Sequence, residues 1–116
     1  MEQRRFKRIS FLQKVEVKIA GQYYETHCID ISLRGILLVL PTSAQWQAGQ
    51  ELDVRITLTP EEVIDMHCTL MHLDEDVAGC KCDSLDIDSL TSLRRLLELN
   101  LANPQEMNRE LADLLR

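Results

Sequence analysis

The chain has 116 residues, of which 45% are apolar, 28% are charged and only 4% are aromatic, and its formal net charge is −6. This length suits one compact domain, which excludes a two-domain enzyme, and it buries enough surface to fold without disulfides or a structural metal. The acidic balance argues against a general nucleic-acid coat protein, because such proteins need a broad basic face.

The charge is distributed unevenly along the chain. Residues 1–18 hold six cationic and two anionic side chains, a net +4, so the remaining residues carry −10. We interpret residues 1–10 as a flexible basic arm, because a run of like charges at a terminus does not order by itself. No apolar run follows the arm or approaches the roughly 18 residues of a membrane span, so we expect neither an export signal nor membrane insertion.

Within residues 11–85, six segments have the features of β-strands. They are residues 11–20, 23–29, 36–40, 52–58, 64–70 and 77–82. The first, fourth and fifth alternate apolar and polar side chains, as in strands with one face in water. The third is a continuous apolar run, which predicts burial on both faces, and Gly21 with Gln22 is expected to turn the first strand into the second. Six strands joined by short turns predict an antiparallel barrel, because closure removes unpaired edges.

The periodicity changes after residue 85. Leucines then recur at helical spacing from Leu90 to Leu101, which predicts a barrel-covering helix capped by Asp88 or Ser89. Asn103-Pro104-Gln105-Glu106 supplies the start signals of a second helix. We therefore expect a mainly β fold, in which a six-stranded antiparallel barrel over residues 11–85 is followed by C-terminal α-helices over residues 86–116.

Two short segments combine into a specific pattern. The arm contains Arg4 and Arg8 with RxxxR spacing, and Asp30, Ser32 and Gly35 form a DxSxxG sequence. Taken alone, the arm could be a solvated tail, and the second segment could be a turn and a bulge. Together, with a hairpin between them and further strands and a leucine-rich helix after them, they resemble the PilZ domain family of cyclic di-GMP receptors. The similarity is greatest to small stand-alone members that end in two helices.

This resemblance implies a PilZ-type barrel that binds cyclic di-GMP on its outer surface, with the RxxxR loop wrapped over the ligand. Arg4 and Arg8 match the family's arginines, whose planar groups can pair with phosphate, grip guanine O6 and N7, and stack on purines. Asp30 matches an aspartate that accepts guanine N–H groups, and Ser32 matches a hydroxyl donor. Gly35 matches a glycine that lets backbone and ligand approach closely.

Three neighbouring positions bear on how the ligand would be held. Gln3 stands where an arginine in the family is associated with an intercalated ligand pair, so one ligand and a pair both remain open. Arg5, inside the motif, is a candidate accessory contact. His72, near the end of the fifth strand, is a candidate stacking contact, because a relative could offer an aromatic platform for guanine there.

Other kinds of site receive less support. His67 and Cys68 are expected on opposite faces of one strand, and the four cysteines show no paired CxxC spacing, which argues against zinc. The acidic runs at residues 74–76 and 83–88 lack the spaced loop of an EF-hand. We therefore predict structural cysteines in a reducing cytoplasm, no metal and no cofactor. No nucleophile and base pair belongs to a motif, so no catalytic residue is predicted.

Three functions remain to be compared. The main prediction is a cytoplasmic receptor that binds cyclic di-GMP, orders its arginine arm on binding and signals to an unidentified downstream protein without catalysis. The alternative is a PilZ-like interaction adaptor with no nucleotide binding, against which the motif residues argue. A small oligonucleotide-binding barrel is disfavoured by the low aromatic content and by the −10 charge of the body, so no nucleic-acid polymer is expected as a partner.

Overall fold

The computed structural model describes residues 9–99, which form six β-strands and a following α-helix. The elements are β1 (Ile9–Ile19), β2 (Gln22–Ser32), β3 (Gly35–Val39), β4 (Glu51–Thr59), β5 (Glu62–Asp74), β6 (Val77–Leu85) and α1 (Ile87–Leu99). The strands pair antiparallel in the order β1-β2-β3-β6-β5-β4, and β4 closes the barrel against β1. The predicted six-stranded antiparallel barrel is confirmed. Residues 1–8 of the predicted arm and the predicted second helix lie outside the described residues, whereas Ile9 and Ser10, which were also expected in the arm, belong to β1.

The alternating strands fill the barrel with one face and meet water with the other. In β1, Val15, Val17 and Ile19 are at most 2% exposed, whereas Lys14 and Glu16 between them are exposed. The other strands add their inward residues to the same core: Cys28, Ile31, Ile36, Leu38, Leu52, Val54, Ile56, Ile64, Met66, Cys68, Leu70, Ala78 and Cys80. Removal of these side chains from water is the main favourable contribution to folding.

The third strand differs from the expectation that both its faces are buried. Ile36 and Leu38 are fully buried in the core, but Leu37 and Val39 on the opposite face are only half-buried. The reason is architectural, because a single closed barrel has one interior and α1 packs on β5 rather than over β3. The apolar run therefore corresponds to a strand with one fully buried face.

The first hairpin turn also differs from the prediction. Ala20 and Gly21 occupy the turn, with φ angles of 53° and 78°, while Gln22 already pairs with Ile19 in the ladder. Positive φ at two successive residues matches the twist of the flanking strands, and it is least costly for glycine. The turn is therefore one residue earlier than expected.

Trp46 belongs to the core although it lies in the loop between β3 and β4. Its side chain is 6% exposed and meets the ring of Tyr24 edge to face, with centroids 5.5 Å apart. The loop is tied to β5 by two backbone hydrogen bonds, from Gly49 N to Leu70 O at 2.7 Å and from Leu70 N to Gln50 O at 2.8 Å. This segment, which was expected to be only turn-rich, thus helps to close the core.

Helix α1 is capped two or three residues earlier than predicted. Asp86, rather than Asp88 or Ser89, caps the helix, because its Oδ1 accepts a hydrogen bond from Ser89 N at 2.7 Å. The hydroxyl of Ser89 is engaged elsewhere, since its oxygen accepts a hydrogen bond from Asp65 N of β5 at 2.9 Å. Leu93 and Leu96 are buried in the core, so α1 covers the barrel as expected.

Polar contacts at Glu62 also hold α1 against β5. The Glu62 carboxylate accepts hydrogen bonds from Ser92 Oγ at 2.6 Å and from Arg95 Nη1 at 3.0 Å. Because Ser92 and Arg95 are three residues apart, they lie on one side of the helix and can reach the same carboxylate. The helix is therefore fixed to the barrel by both apolar and polar contacts.

Candidate functional site

The DxSxxG segment forms the end of β2, a short turn and the start of β3. Ser32 is 2% exposed, and its Oγ accepts a hydrogen bond from Arg34 N at 3.1 Å across the turn. A hydroxyl that accepts one hydrogen bond can still donate another. The serine therefore stabilises the turn locally, and this contact is compatible with the predicted role of a hydroxyl donor.

Two predicted site residues that are distant in sequence lie in one row across four strands. Asp30 pairs with Leu37, Leu37 pairs with Gly79, and Gly79 pairs with His72. We call these four residues the outer row, because their neighbours along the strands, such as Ile31 and Ile36, point into the core. With strands about 4.8 Å apart, the outer row extends about 14 Å from its first to its last strand. The barrel thus presents Asp30 and His72 on the same outer surface.

His72 covers the backbone of β6. A Cβ atom built on Gly79 would overlap the imidazole ring of His72, so the ring lies directly over this glycine. The absence of a side chain at Gly79 is what allows the ring to lie there, while His72 remains exposed to solvent. Sequence reasoning found the histidine but missed the glycine, although an isolated glycine inside a strand is a known signal of close approach.

Gly35 has a packing role in the barrel. A Cβ atom at this position would overlap the carbonyl oxygen of Cys80 in the neighbouring strand. Gly35 itself pairs with Lys81, next to Cys80, and it is buried. The glycine is therefore required by the close approach of β3 and β6, whatever else contacts it.

A cation missed in the sequence lies beside the motif. Lys81 is exposed and sits opposite Gly35, which in turn pairs with Ser32, so these three residues form a second row next to the outer row. The Lys81 ammonium is 3.8 Å from Asp83 Oδ1, an exposed ion pair that contributes little to stability. In the sequence, Lys81 is only one lysine in a short apolar strand. The register of β3 with β6 is needed to place it beside Gly35.

The two motif arginines, Arg4 and Arg8, and the candidate accessory contact Arg5 lie outside the described residues. The described chain nevertheless begins beside the motif, because Ile9 pairs with Ile31 and Ser10 pairs with Asp30. The first residues of β1 thus run alongside the part of β2 that carries the DxSxxG sequence.

A separate cleft lies on another part of the barrel. It has a volume of about 480 Å³ and is lined by β1, β4, β5 and the segment leading into α1. His67 lines this cleft, and both of its ring nitrogens are hydrogen-bonded to carboxylates. Nδ1 is 2.7 Å from Asp53 Oδ1, and Nε2 is 2.7 Å from Glu51 Oε1. Neither Asp30 nor His72 lines this cleft, so it is distinct from the outer row.

We expect His67 to titrate above its ordinary pKa of 6.5, because its charged ring donates hydrogen bonds to Asp53 and, with a smaller effect, to Glu51, which stabilise the charged form. A raised pKa in the folded state gives a stabilisation that is complete below pH 6.5 and is lost as the pH rises through the raised value. NMR titration of the imidazole checks this. Asp53→Asn should move the pKa of His67 downward, and a wild-type value at or below 6.5 would contradict the assignment.

Within residues 9–99, no group of three or more histidine, cysteine, aspartate or glutamate side chains is placed to hold a metal ion. In the same part of the chain, no helix is long and apolar enough to cross a membrane.

Comparison with known proteins gives a consistent result over most of the chain. A family model described as the PilZ domain matches residues 2–99. Among solved structures, the PilZ domain of YcgR from Escherichia coli with c-di-GMP superimposes with a TM-score of 0.73 at 17% identity, covering 94% of this chain and 99% of that one.

Two longer proteins also match. The Bacillus subtilis inhibitor of motility, MotI/DgrA, gives a TM-score of 0.74 at 19% identity over 89% of this chain and 54% of that one. YcgR from E. coli in complex with c-di-GMP gives 0.67 at 21% identity over 100% of this chain and 52% of that one. The chain therefore spans about half the length of these two proteins, and at such identities the similarity shows a shared fold.

Proposed function

The chain belongs to the PilZ domain family, and from this premise we propose that it is a receptor for cyclic di-GMP that binds its ligand on the outer surface of the barrel and signals to a partner protein. The observation that carries the proposal is the pairing of β1 with β2. Through it, the start of β1 runs beside Asp30 and the DxSxxG segment. A binding protein of this kind needs no catalytic residue.

The pairing explains how two distant motifs can serve one ligand. Arg8 is joined by one peptide bond to Ile9, and Ile9 pairs with Ile31 between Asp30 and Ser32. The RxxxR motif therefore ends one residue before the part of β1 that pairs with the DxSxxG segment. A whole hairpin separates RxxxR from DxSxxG in the sequence, yet the ladder supports a single site for both.

The chemistry of the outer surface suits a cyclic dinucleotide with two phosphates and two guanines. In the proposed complex, Arg4 and Arg8 pair with phosphate and guanine acceptors, and Asp30 accepts guanine N–H groups. Lys81 adds a cation beside Gly35 for phosphate. The imidazole of His72, at the far end of the outer row about 14 Å away, is a surface on which a base can stack.

The signal is proposed to come from the arginine arm. Residues 1–8 hold Arg4, Arg5, Lys7 and Arg8, whose like charges repel one another in the absence of an anion. A bound dianion offers these cations a shared partner, so binding would order the arm over the ligand and create a new surface for a downstream protein. The four free cysteines suit a reducing compartment, and we propose that the protein acts in the cytoplasm.

Calorimetric titration of the full chain with cyclic di-GMP, GMP and a short single-stranded oligonucleotide tests this function. We expect saturable binding of cyclic di-GMP alone. Binding of none of the three would favour the adaptor without nucleotide binding, and preference for the oligonucleotide would favour the oligonucleotide-binding barrel. Gly35 does not help to separate receptor from adaptor, because the packing of β3 on β6 requires it in both.

Arg8→Ala is expected to weaken cyclic di-GMP binding by about tenfold to a hundredfold, because a hydrogen bond to a charged group contributes about 1.5–3 kcal/mol. Arg8→Lys should recover only part of the affinity, since an ammonium lacks the planar fork. Lys14→Ala is the matched control, because Lys14 is an exposed cation further along β1 that pairs with Glu25. Wild-type affinity in Arg8→Ala would remove Arg8 from the site.

A further inference from the structure

Cys68 and Cys82 face each other across the β5–β6 ladder. They are paired in the register of the two strands, and Cys68 is fully buried whereas Cys82 is partly exposed. Cys82 packs against the same apolar core that contains Cys68. The two sulfur atoms are thus neighbours, and one of them can be reached from solvent.

The backbone hydrogen bonds identify the kind of pair. Cys82 N donates to Arg34 O at 2.9 Å, on the side of β3, and Leu70 N donates to Gln50 O at 2.8 Å, on the side of β4. In a strand, the N–H and C=O groups of one residue point to the same side, and residues two apart behave alike. The backbone N–H and C=O groups of Cys82 therefore point away from β5, and the backbone N–H and C=O groups of Cys68 point away from β6.

It follows that Cys68 and Cys82 form a non-hydrogen-bonded cross-strand pair. Such pairs have Cα atoms about 4.5 Å apart, closer than the roughly 5.5 Å of hydrogen-bonded pairs. Disulfides span Cα distances of about 4.4–6.8 Å, a range that includes the typical spacing of such pairs. The register shift of this ladder lies beside the pair, between His67 and Cys68.

The two thiols also differ in reactivity. The Cys82 thiol donates a hydrogen bond to Ser84 O at 3.7 Å. Its interaction with the Cys68 thiol lowers the pKa of Cys82 and raises the pKa of Cys68. Burial raises the pKa of Cys80 to about 12. Because the thiolate is the reactive form, the partly exposed Cys82 is the cysteine of this group that an oxidant would attack first.

We propose that Cys68 and Cys82 form an oxidation site, in which peroxide converts the two thiols into a reversible disulfide. The Cys82 thiolate attacks one oxygen of hydrogen peroxide, so an S–O bond forms, the O–O bond breaks and hydroxide leaves as water after protonation. Cys68 then loses its proton and attacks the Cys82 sulfenic sulfur; the S–S bond forms, the S–O bond breaks, and a second water leaves. Two thiols are oxidised, and one peroxide is reduced to two waters.

The site lies next to the nucleotide-binding motif without sharing its residues. Cys82 N donates a hydrogen bond to Arg34 O, and Arg34 N donates one to Ser32 Oγ. Two successive hydrogen bonds thus connect Cys82 of β6 through Arg34 to Ser32. The assignment stands on the strand register and does not depend on cyclic di-GMP binding.

The experiment treats the folded full chain with limiting hydrogen peroxide, alkylates the remaining thiols and maps the peptides by mass spectrometry. Trypsin cleaves after Lys81 and separates Cys82 from Cys80, and a protease that cleaves after Glu75 separates Cys80 from Cys68. We expect a cross-linked Cys68–Cys82 peptide, lighter by two hydrogen atoms and lost on treatment with dithiothreitol.

The controls use the other cysteines of the same core. Cys80→Ala, a matched buried cysteine of β6, should leave the cross-link intact, whereas Cys68→Ala should leave a Cys82 sulfenic acid that dimedone captures. The wild-type peptide map remains decisive if a variant fails to fold. A cross-link through Cys80 or Cys28, oxidation of either before Cys82, or oxidised Cys82 with a Cys68 thiol recovered in full would overturn the proposal.

Discussion

Replacement of Gly35 by alanine is expected to lower the free energy of unfolding by about 1–3 kcal/mol or more, because the added methyl group meets a backbone carbonyl. The obstacle is Cys80 O in β6, which cannot rotate away as a side chain can. Gly35→Val should cost more, since a branched side chain needs more room in the same place. Chemical denaturation monitored by circular dichroism measures both losses.

Gly79→Ala is the matched control for this prediction. The three heavy atoms nearest to a Cβ atom at Gly79 all belong to the ring of His72, a side chain at the surface that can turn into solvent. We expect a loss of less than about 1 kcal/mol. Equal losses at Gly35 and Gly79 would mean that the Cys80 carbonyl is not the obstacle. Loss of ligand binding in a Gly35 variant is informative only when the folded fraction is known.

Leu93→Ala is expected to reduce the free energy of unfolding by about 2–5 kcal/mol, a large part of the 5–15 kcal/mol typical of a small domain. Leu93 is fully buried where α1 meets the core, so truncation removes contacts and leaves a cavity. Equilibrium urea unfolding, with a comparison of midpoints at constant slope, gives the difference.

Leu99→Ala provides the comparison within the same helix. Leu99 is 67% exposed, so its truncation should change stability by no more than about 0.5 kcal/mol. If the two variants lost equal stability, α1 would not be anchored through Leu93. A selective loss at Leu93 would show that the helix folds as part of the barrel core.

The number of strand segments and the short turns between them predicted the barrel, and in the alternating strands a period of two assigned each side chain to one face. Val15, Val17 and Ile19 lie inside, as the pattern indicates. The details at the ends of elements required tertiary information. Asp86 caps α1 because Ser89 is engaged with β5, and Trp46 enters the core from a loop whose composition indicated only turns.

The candidate site was predictable only where its residues are close in sequence. Asp30, Ser32 and Gly35 are visible as one motif, since a strand and its turn bring them together. The neighbours at Gly79 and Lys81 depend on the register of β3 with β6, which no local pattern specifies. The packing role of Gly35 against Cys80 was hidden for the same reason.

Closure of the barrel between β1 and β4 determines how another protein can recognise this domain. Each of the six strands has a hydrogen-bonded neighbour on both sides over part of its length, so within residues 9–99 these doubly paired segments offer an incoming peptide no free edge to extend. A protein that contacts the doubly paired segments would recognise their side chains, by shape and charge, instead of their main-chain groups. Surface substitutions can then change the choice of partner while the barrel stays intact, which lets one scaffold acquire new outputs.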